Sequence, residues 1–455
     1  MSEAVMQDLI ASSVNRVVVG LGLTGLSCAR HLYSLGLSFA VVDTRRNPPG
    51  LDVLRSQMPD IEVYAGEYPQ ELINSAAELI VSPGIALEDP LVVAAREAGA
   101  EILGDIDLFM REAKAPVIGI TGSNAKSTVT ELVGEMARQS GLNVGVGGNL
   151  GTPALDLLGT DRELYVLELS SFQLERAGKL GLAVATVLNV SPDHLDRHGS
   201  MIQYHQAKHR IFRGCRSAVA HTDDALTVPL LEDKVPVVKW RMGEPALDGF
   251  GLCTIQGVEY ICLGLDALLP AGDLRMAGRH NLANALAALA LGHAAELPLA
   301  IMLDTLRSFN GLPHRCELVA EIAGVRFVND SKGTNVGATQ AALQGLGGDK
   351  DILLIAGGQG KGADFGELLP AVTRHCRQVF AIGEDAGLLA DALRSAVPVT
   401  HTPSLEAAVH EAAQVAEPGN TVLLSPACAS FDMFSGFVAR GEAFTAAVHA
   451  LEEGS

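Results

Sequence analysis

Positive charge is scarce in this chain. It holds 33 Lys and Arg against 53 Asp and Glu, a net charge of −20. A nucleic-acid binder presents a basic face, so that class is set aside. The same scarcity opposes anionic ligands at long range. Any phosphate or carboxylate substrate must be held locally, by loop amides, helix N-termini and a few placed Lys or Arg. Aromatic residues make up only 4%, while hydrophobic residues reach 48%. That balance suits helices packed closely on parallel sheets. The seven cysteines are scattered, with no CxxC, which argues for a reducing compartment and against structural zinc or a disulfide framework. The most apolar stretch, 282–303, is interrupted by His293, Glu296 and Pro298, so no membrane insertion is expected. The opening MSEAVMQDLI is acidic, without the basic-then-apolar order of a signal peptide. Repeats and low-complexity segments are absent as well. These absences leave a cytoplasmic protein, expected to be monomeric, with core for roughly two to four domains.

The segments that are present alternate strands and helices, and the alternation restarts twice. RVVVG, SFAVVD and ELIVSPG mark a first unit over 1–104; VIGI, ELYVLELS and VATVLNVS a second over 105–311; and GVRFVND, DILLIAGGQ, QVFAIGED and TVLLSPA a third over 312–455. The fold class expected is α/β in three serial domains: Rossmann-like, P-loop ATPase-type and Rossmann-like. The segment 235–277, rich in short strands, reads as an insertion.

Two glycine-bearing turns compete to define the chemistry. In VVVGLGLTGLS, Gly20, Gly22 and Gly25 sit between a strand and a helix, and Asp43 ends the next strand. This is the dinucleotide pattern, and alone it favours NAD(P) and an oxidoreductase. It specifies only a diphosphate on a helix end, so a uridine diphosphate fits too, and glycines used purely for packing remain open. In ITGSNAKST, a buried strand delivers Gly122, Ser123 and Asn124 to a phosphate-binding turn. Lys126 would reach the phosphates, and Ser127, followed by Thr128, would ligate Mg²⁺. Ala125 stands where glycine is usual, and either negative φ or a tolerated left-handed turn is expected there. Glu168, ending the strand in YVLELSSFQLE, is a natural second metal ligand or a plain strand-end acid. NVSPDHLDRHG presents Asp193, His194, Asp196 and His198, which suit a metal or substrate contact or ordinary loop chemistry. Lys208, in YHQAKHRIF, reads by itself as a solvated helix lysine.

TGSNAKST, VGGNLG, LELSSFQLE, NVSPDHLDRHG, HQAKHRI, GRHNLANALAALAL, GLPHR, NDSKGTN, GGQGKGADF and LLSPACASFDMF occur in this order from about residue 16 to 445. Together they resemble the ATP-dependent Mur ligases of peptidoglycan synthesis, and the terminal motifs look most like the member that adds D-glutamate. The resemblance implies an amide ligase using ATP and Mg²⁺, with UDP-N-acetylmuramoyl-L-alanine and D-glutamate as substrates and an acyl phosphate between them. It implies a UDP site at Leu23, Thr24, Asp43, Thr44, Arg45, Ser82 and Gly84, with Asn149 on the muramoyl group. It gives Lys126, Ser127 and Thr128 to the phosphates and first metal, Glu168 and His194 to metal and catalysis, and Lys208 to a carbamate metal ligand. Asn281 and Asn284, on one helix face, resemble adenine contacts, and His314, Arg315, Asp330 and Lys332 the ATP contacts of the third domain. Thr334, Lys361, Ser430, Phe431 and Phe437 resemble a D-glutamate pocket. Gly333 departs from the family's usual small non-glycine residue and is expected to loosen its loop. A hinge near 311–314 is expected, because the third domain must close on the second.

Overall fold

The computed structural model describes residues 15–453 apart from Leu150 and Ala277; the opening MSEAVMQDLI lies outside the described residues. Three sheets follow one another along the chain, and helices cover them. The first has five parallel strands in the spatial order Glu62–Ala65, Ala40–Asp43, Arg16–Val19, Glu78–Val81 and Glu101–Leu103. Arg16–Val19 and Ala40–Asp43 are buried along their whole length, which is why they read as unbroken valine-rich runs rather than alternating ones. The order reverses at Arg16–Val19, leaving a crevice beyond its carboxyl end and that of Glu78–Val81. The chain turns there through Gly20 at φ 90° into the helix Leu23–Ser34. A Cβ on Gly25 would collide with the Gly20 carbonyl, so only glycine lets helix and strand approach this closely.

The second sheet has nine strands, ordered Asp266–Pro270, Val258–Leu263, Phe250–Ile255, Val237–Trp240, Ser217–His221, Val184–Val187, Val117–Thr121, Leu164–Glu168 and Val144–Gly148. The 235–277 segment is therefore an extension of this sheet, parallel at Val237–Trp240 and antiparallel beyond it. Its hairpin brings Cys253 and Cys262 within a Cα separation of 6.3 Å, and the two are joined as a disulfide. The scattered spacing argued against a disulfide framework, and this one bridge qualifies that reading: a hairpin brings together two cysteines nine residues apart that no CxxC marks. Cys28, Cys215, Cys316, Cys376 and Cys428 are free.

The third sheet runs Glu317–Ile322, Val325–Asn329, Thr421–Leu424, Ile352–Gly357, Cys376–Ile382 and Val399–His401, antiparallel in its first pair and parallel thereafter. The first two units share one apolar core, which includes Val18, Leu54, Phe109, Tyr165 and Leu167. The third has clusters of its own around Ile352, Leu354 and Leu423, and around Phe380, Val422 and Phe444. Polar ties reinforce the first junction. Asp156 accepts from Ser27 Oγ at 2.9 Å and Arg30 at 2.6 Å, and the buried Arg176 donates to the carbonyls of Val81, Ser82, Pro83 and Ile85.

Candidate active site

The strand Val117–Thr121 is wholly buried, and the helix Lys126–Gln139 begins five residues after its end. Between them the loop turns through Ala125 at φ 67°. Of the two conformations expected for this alanine, the left-handed one is present, at a cost of about 1–2 kcal/mol. Neighbouring groups hold the turn. Asn189 accepts from the Asn124 amide at 2.8 Å and donates to the Asn124 carbonyl at 3.1 Å. Ser123 Oγ lies 3.1 Å from the Tyr204 hydroxyl, donates to the Ser191 carbonyl and accepts from the Ser191 amide. Ser123 thus braces the loop against the Asn189–Asp193 segment. Lys126 Nζ folds back onto the carbonyls of Gly122 and Ser123, at 2.8 and 2.9 Å. Ser127 and Thr128 are buried in the first turn of the helix, and its free amides and dipole favour an anion there.

Cations from two units converge on this turn. Burial lowers the Lys126 pKa, while Glu168 and Asp193 nearby work to raise it and Arg315 to lower it. Lys208 is buried on the inner face of the helix Met201–His209, its Nζ donating to Gly122 O at 2.7 Å and lying 4.4 Å from the Tyr204 ring centre. Burial, then the charge of Lys126, push its pKa well below the usual lysine value. The solvated lysine that its helix alone suggests is thus a buried amine beside the phosphate loop. From the third unit, Lys332 has its pKa lowered to about 8 by burial and by Arg315; its Nζ sits 4.1 Å from the Phe437 ring centre. Asp330 is buried, accepting from Ser425 Oγ at 2.7 Å and from the Cys316 amide at 3.2 Å. Burial raises its pKa to about 6. A Cβ on Gly333 would lie 2.7 Å from both Asp330 Oδ2 and Ser425 Oγ. Gly333 thus lies in close approach to both side chains. His314, at φ 61°, has Nδ1 3.0 Å from Asn329 Nδ2.

Glu168, buried at its strand end, accepts from Asn149 Nδ2 at 2.7 Å through Oε1, while Oε2 is buried with no hydrogen-bond partner. An orphaned carboxylate oxygen beside a phosphate loop fits a divalent cation that takes one protein carboxylate and completes its shell with phosphates and water. Among the described residues no three His, Cys, Asp or Glu side chains gather as a metal cage; His194 lies 3.5 Å from Asp193 and edge-on to Phe172 at 4.9 Å. Lys208, as an amine donating to a carbonyl, holds no metal in this state; carbamylation would be needed to make it a ligand. Burial lowers the His194 pKa, and Lys361 and Lys126 lower it further, which places Lys361 near this end of the site.

The remaining expected residues fall in three places. Around the first-sheet crevice, Leu23, Thr44, Arg45 and Gly84 are exposed and Thr24 and Ser82 partly so. Asp43 is buried and fully engaged: Oδ2 accepts from the Leu21 amide at 2.7 Å, Oδ1 from the Arg45 amide at 2.9 Å, and Arg45 pairs with it at 2.7 Å. Against the opposing effect of burial, these donors hold its pKa down. A carboxylate spent on its own turn has little left for a ribose. Near the third-sheet carboxyl ends, Thr334 and Phe437 are partly exposed, Lys361 sits in the left-handed region at φ 53°, Ser430 is buried and Phe431 is exposed. Asn281 and Asn284 are buried on one face of the helix Arg279–Ala294, bonded to each other at 3.0 Å. The residues that motif reading passed over are Asn189, Tyr204 and Asn335. Each lies inside or beside a quoted motif, but its partner is distant in the chain.

Comparison with known proteins accords with this geometry. Residues 14–104 match the Mur ligase MurD-like N-terminal domain, 120–292 the Mur ligase middle domain, and 314–428 the Mur ligase glutamate ligase domain. The chain is 56% identical over 446 residues to the UDP-N-acetylmuramoylalanine–D-glutamate ligase of Pseudomonas aeruginosa, covering 98% of this chain and 100% of that one. It is 51% identical over 445 residues to the enzyme of the same name in Marinobacter nauticus, again covering 98% and 100%. Among solved structures, the MurF ligase of Thermotoga maritima in complex with ADP superposes with a TM-score of 0.60 at 16% identity, covering 98% of this chain and 97% of that one. The UDP-N-acetylmuramate–alanine ligase of the same organism gives 0.58 at 19% identity, covering 97% and 100%; at such identities the likeness is one of fold. The oxidoreductase alternative is thereby overturned, and the chain belongs to the Mur ligase family of ATP-dependent amide ligases.

Proposed function

We propose that this chain joins D-glutamate to UDP-N-acetylmuramoyl-L-alanine at the expense of ATP, in the cytoplasm, acting as a monomer in peptidoglycan precursor synthesis. The observation that carries this is the gathering of Lys126, Lys208, Arg315 and Lys332 around Glu168 and Asp193 at the phosphate loop. In a protein of net charge −20, that is a local cationic focus for a triphosphate and a carboxylate.

The first unit, 1–104, takes the uridine diphosphate in its crevice, with Leu23, Thr24, Thr44, Arg45, Ser82 and Gly84 around it and Asp43 organising the turn. Asn149 positions the muramoyl end. The second unit, 105–311, holds ATP on the loop Gly122–Thr128, with Asn281 and Asn284 toward the base and Arg315, Asp330 and Lys332 closing from the third unit, 312–455. An alanyl carboxylate oxygen attacks the γ-phosphorus and ADP departs, its charge met by Lys126. The neutral amine of D-glutamate, oriented by Thr334, Lys361, Ser430, Phe431 and Phe437, attacks the carbonyl carbon of the acyl phosphate. The carbon–oxygen bond then breaks, phosphate leaves with that oxygen, and the surplus proton on nitrogen passes to phosphate or water. Magnesium, when bound by Ser127 and Glu168, would neutralise phosphate charge; Lys208 would add a ligand once carbamylated, a reaction of the neutral amine, which burial favours by lowering its pKa. His194 borders the acceptor side of the site.

Phosphate release measured with each substrate omitted in turn tests this. Release only when ATP, the muramoyl peptide and D-glutamate are all present is the expected result. Release that ignores D-glutamate would contradict it.

A further inference from the structure

Beside Arg315 and Lys332, the third unit also touches the phosphate loop at the N-terminal end of the helix Val336–Leu346, and that contact has no role in the chemistry described so far. Asn335 caps the helix, its Oδ1 accepting from the Ala338 amide at 2.8 Å. Its other amide atom, Nδ2, reaches across the domain boundary, donating to Asn124 Oδ1 and to Asp193 Oδ2, each at 3.2 Å. Asn124 is in the phosphate loop, and Asp193 lies within the charge cluster around Lys126 and Lys208. Two glycines let the rest of the helix lie close. A Cβ on Gly337 would stand 3.0 Å from Ser191 Oγ. One on Gly345 would collide with the His280 ring at the start of the helix Arg279–Ala294. The helix is therefore seated at both ends on the second unit, and Asn335 is its polar tip.

We propose that Asn335 is a positioning residue for the ligation, a clasp that reads the phosphate loop and Asp193 and so fixes the third unit, with its Arg315 and Lys332, over bound ATP. The first two units share an apolar core and many polar ties. Among the described residues no apolar cluster spans the third unit and the second, so short-range contacts such as this one help set its register. The amide suits the task because it presents an acceptor to its own helix and a donor to two acceptors opposite. This rests on the proposed ligation for its kinetic readout, and on solution shape independently of it.

Asn335→Asp keeps an N-cap acceptor but turns a carboxylate toward Asp193 and the Asn124 oxygen. Asn335→Ser keeps the cap and loses the reach. Gly345→Val obstructs the seat at the far end of the helix without touching the loop. Small-angle scattering of each full-length protein, with and without a non-hydrolysable ATP analogue and Mg²⁺, reads closure; steady-state kinetics reads its consequence. The parent compacts on ligand binding. Asn335→Asp and Gly345→Val stay expanded, and Asn335→Asp loses about a hundredfold in kcat/KM, largely through KM for D-glutamate, while Asn335→Ser loses about tenfold. Thermal midpoints of both Asn335 variants stay near that of the parent. Adding Asp193→Asn to Asn335→Asp restores donor to acceptor and recovers compaction. Compaction and kcat/KM of Asn335→Asp equal to the parent would overturn the proposal, and so would activity lost only in step with thermal midpoint. Normal compaction in a parent that forms no amide would instead sink the proposed ligation and leave the clasp standing.

Discussion

Ala125 carries a left-handed backbone that glycine would adopt without penalty. Ala125→Gly is expected to raise Tm by about 2 °C, the return of roughly 1 kcal/mol of strain, and to leave activity within about tenfold. Differential scanning fluorimetry and turnover check both, and complete loss of activity would mean the loop is held differently. Asp330 titrates in a measurable window. Its folded pKa is raised to about 6 by burial, above the value of about 3.9 in an unfolded chain. Its protonated form thus adds stability that is full below pH 4 and is lost as pH rises through 6. At neutral pH the ionised group is a structural cost that the Ser425 and Cys316 bonds only partly offset. Asp330→Asn should therefore gain Tm relative to the parent at pH 8 but not at pH 4, with activity reduced at both. In the parent, kcat/KM should fall as pH drops below about 6.

A strand, a turn and a helix make the phosphate site, and their type was legible from sequence: buried VIGIT before the loop, an amphipathic KSTVTELVGEM after it. What was not legible is how the turn is held. Asn189 lies 65 residues from Asn124, and nothing local marks it, because the constraint is a tertiary pair. Asn189→Ala removes both bonds to the Asn124 backbone and should raise KM for ATP by about tenfold with little change in Tm, on the usual worth of one or two such bonds. An unchanged KM would show that Ser123 and its partners suffice. The same distinction explains the other differences. The 235–277 strands were visible, but their sheet partner was not, and with it the proximity of Cys253 and Cys262. Asp43 was visible as a strand-end acid, but its saturation by Leu21 and Arg45 became evident only with the turn folded. Gly333 departs from the family's usual residue, and its close approach to Asp330 and Ser425 is evident only in the fold.

Across the whole molecule, surplus negative charge and a concentrated cationic site are complementary. The surface keeps the protein soluble and repels indiscriminate anions, while Lys126, Lys208, Arg315 and Lys332 give phosphates one favourable address. In the proposed ligation the three units divide the work: two joined by a continuous core would present nucleotide sugar and ATP side by side, and the third would bring amine and cations over them. This arrangement serves one chemical event, transfer of a phosphoryl group to a carboxylate so that an amine can displace it. Labelling both alanyl carboxylate oxygens of UDP-N-acetylmuramoyl-L-alanine with oxygen-18 and analysing the released phosphate by mass spectrometry follows that event atom by atom. One labelled oxygen in each phosphate, and one retained in the new amide, is the predicted result; phosphate free of label would contradict it.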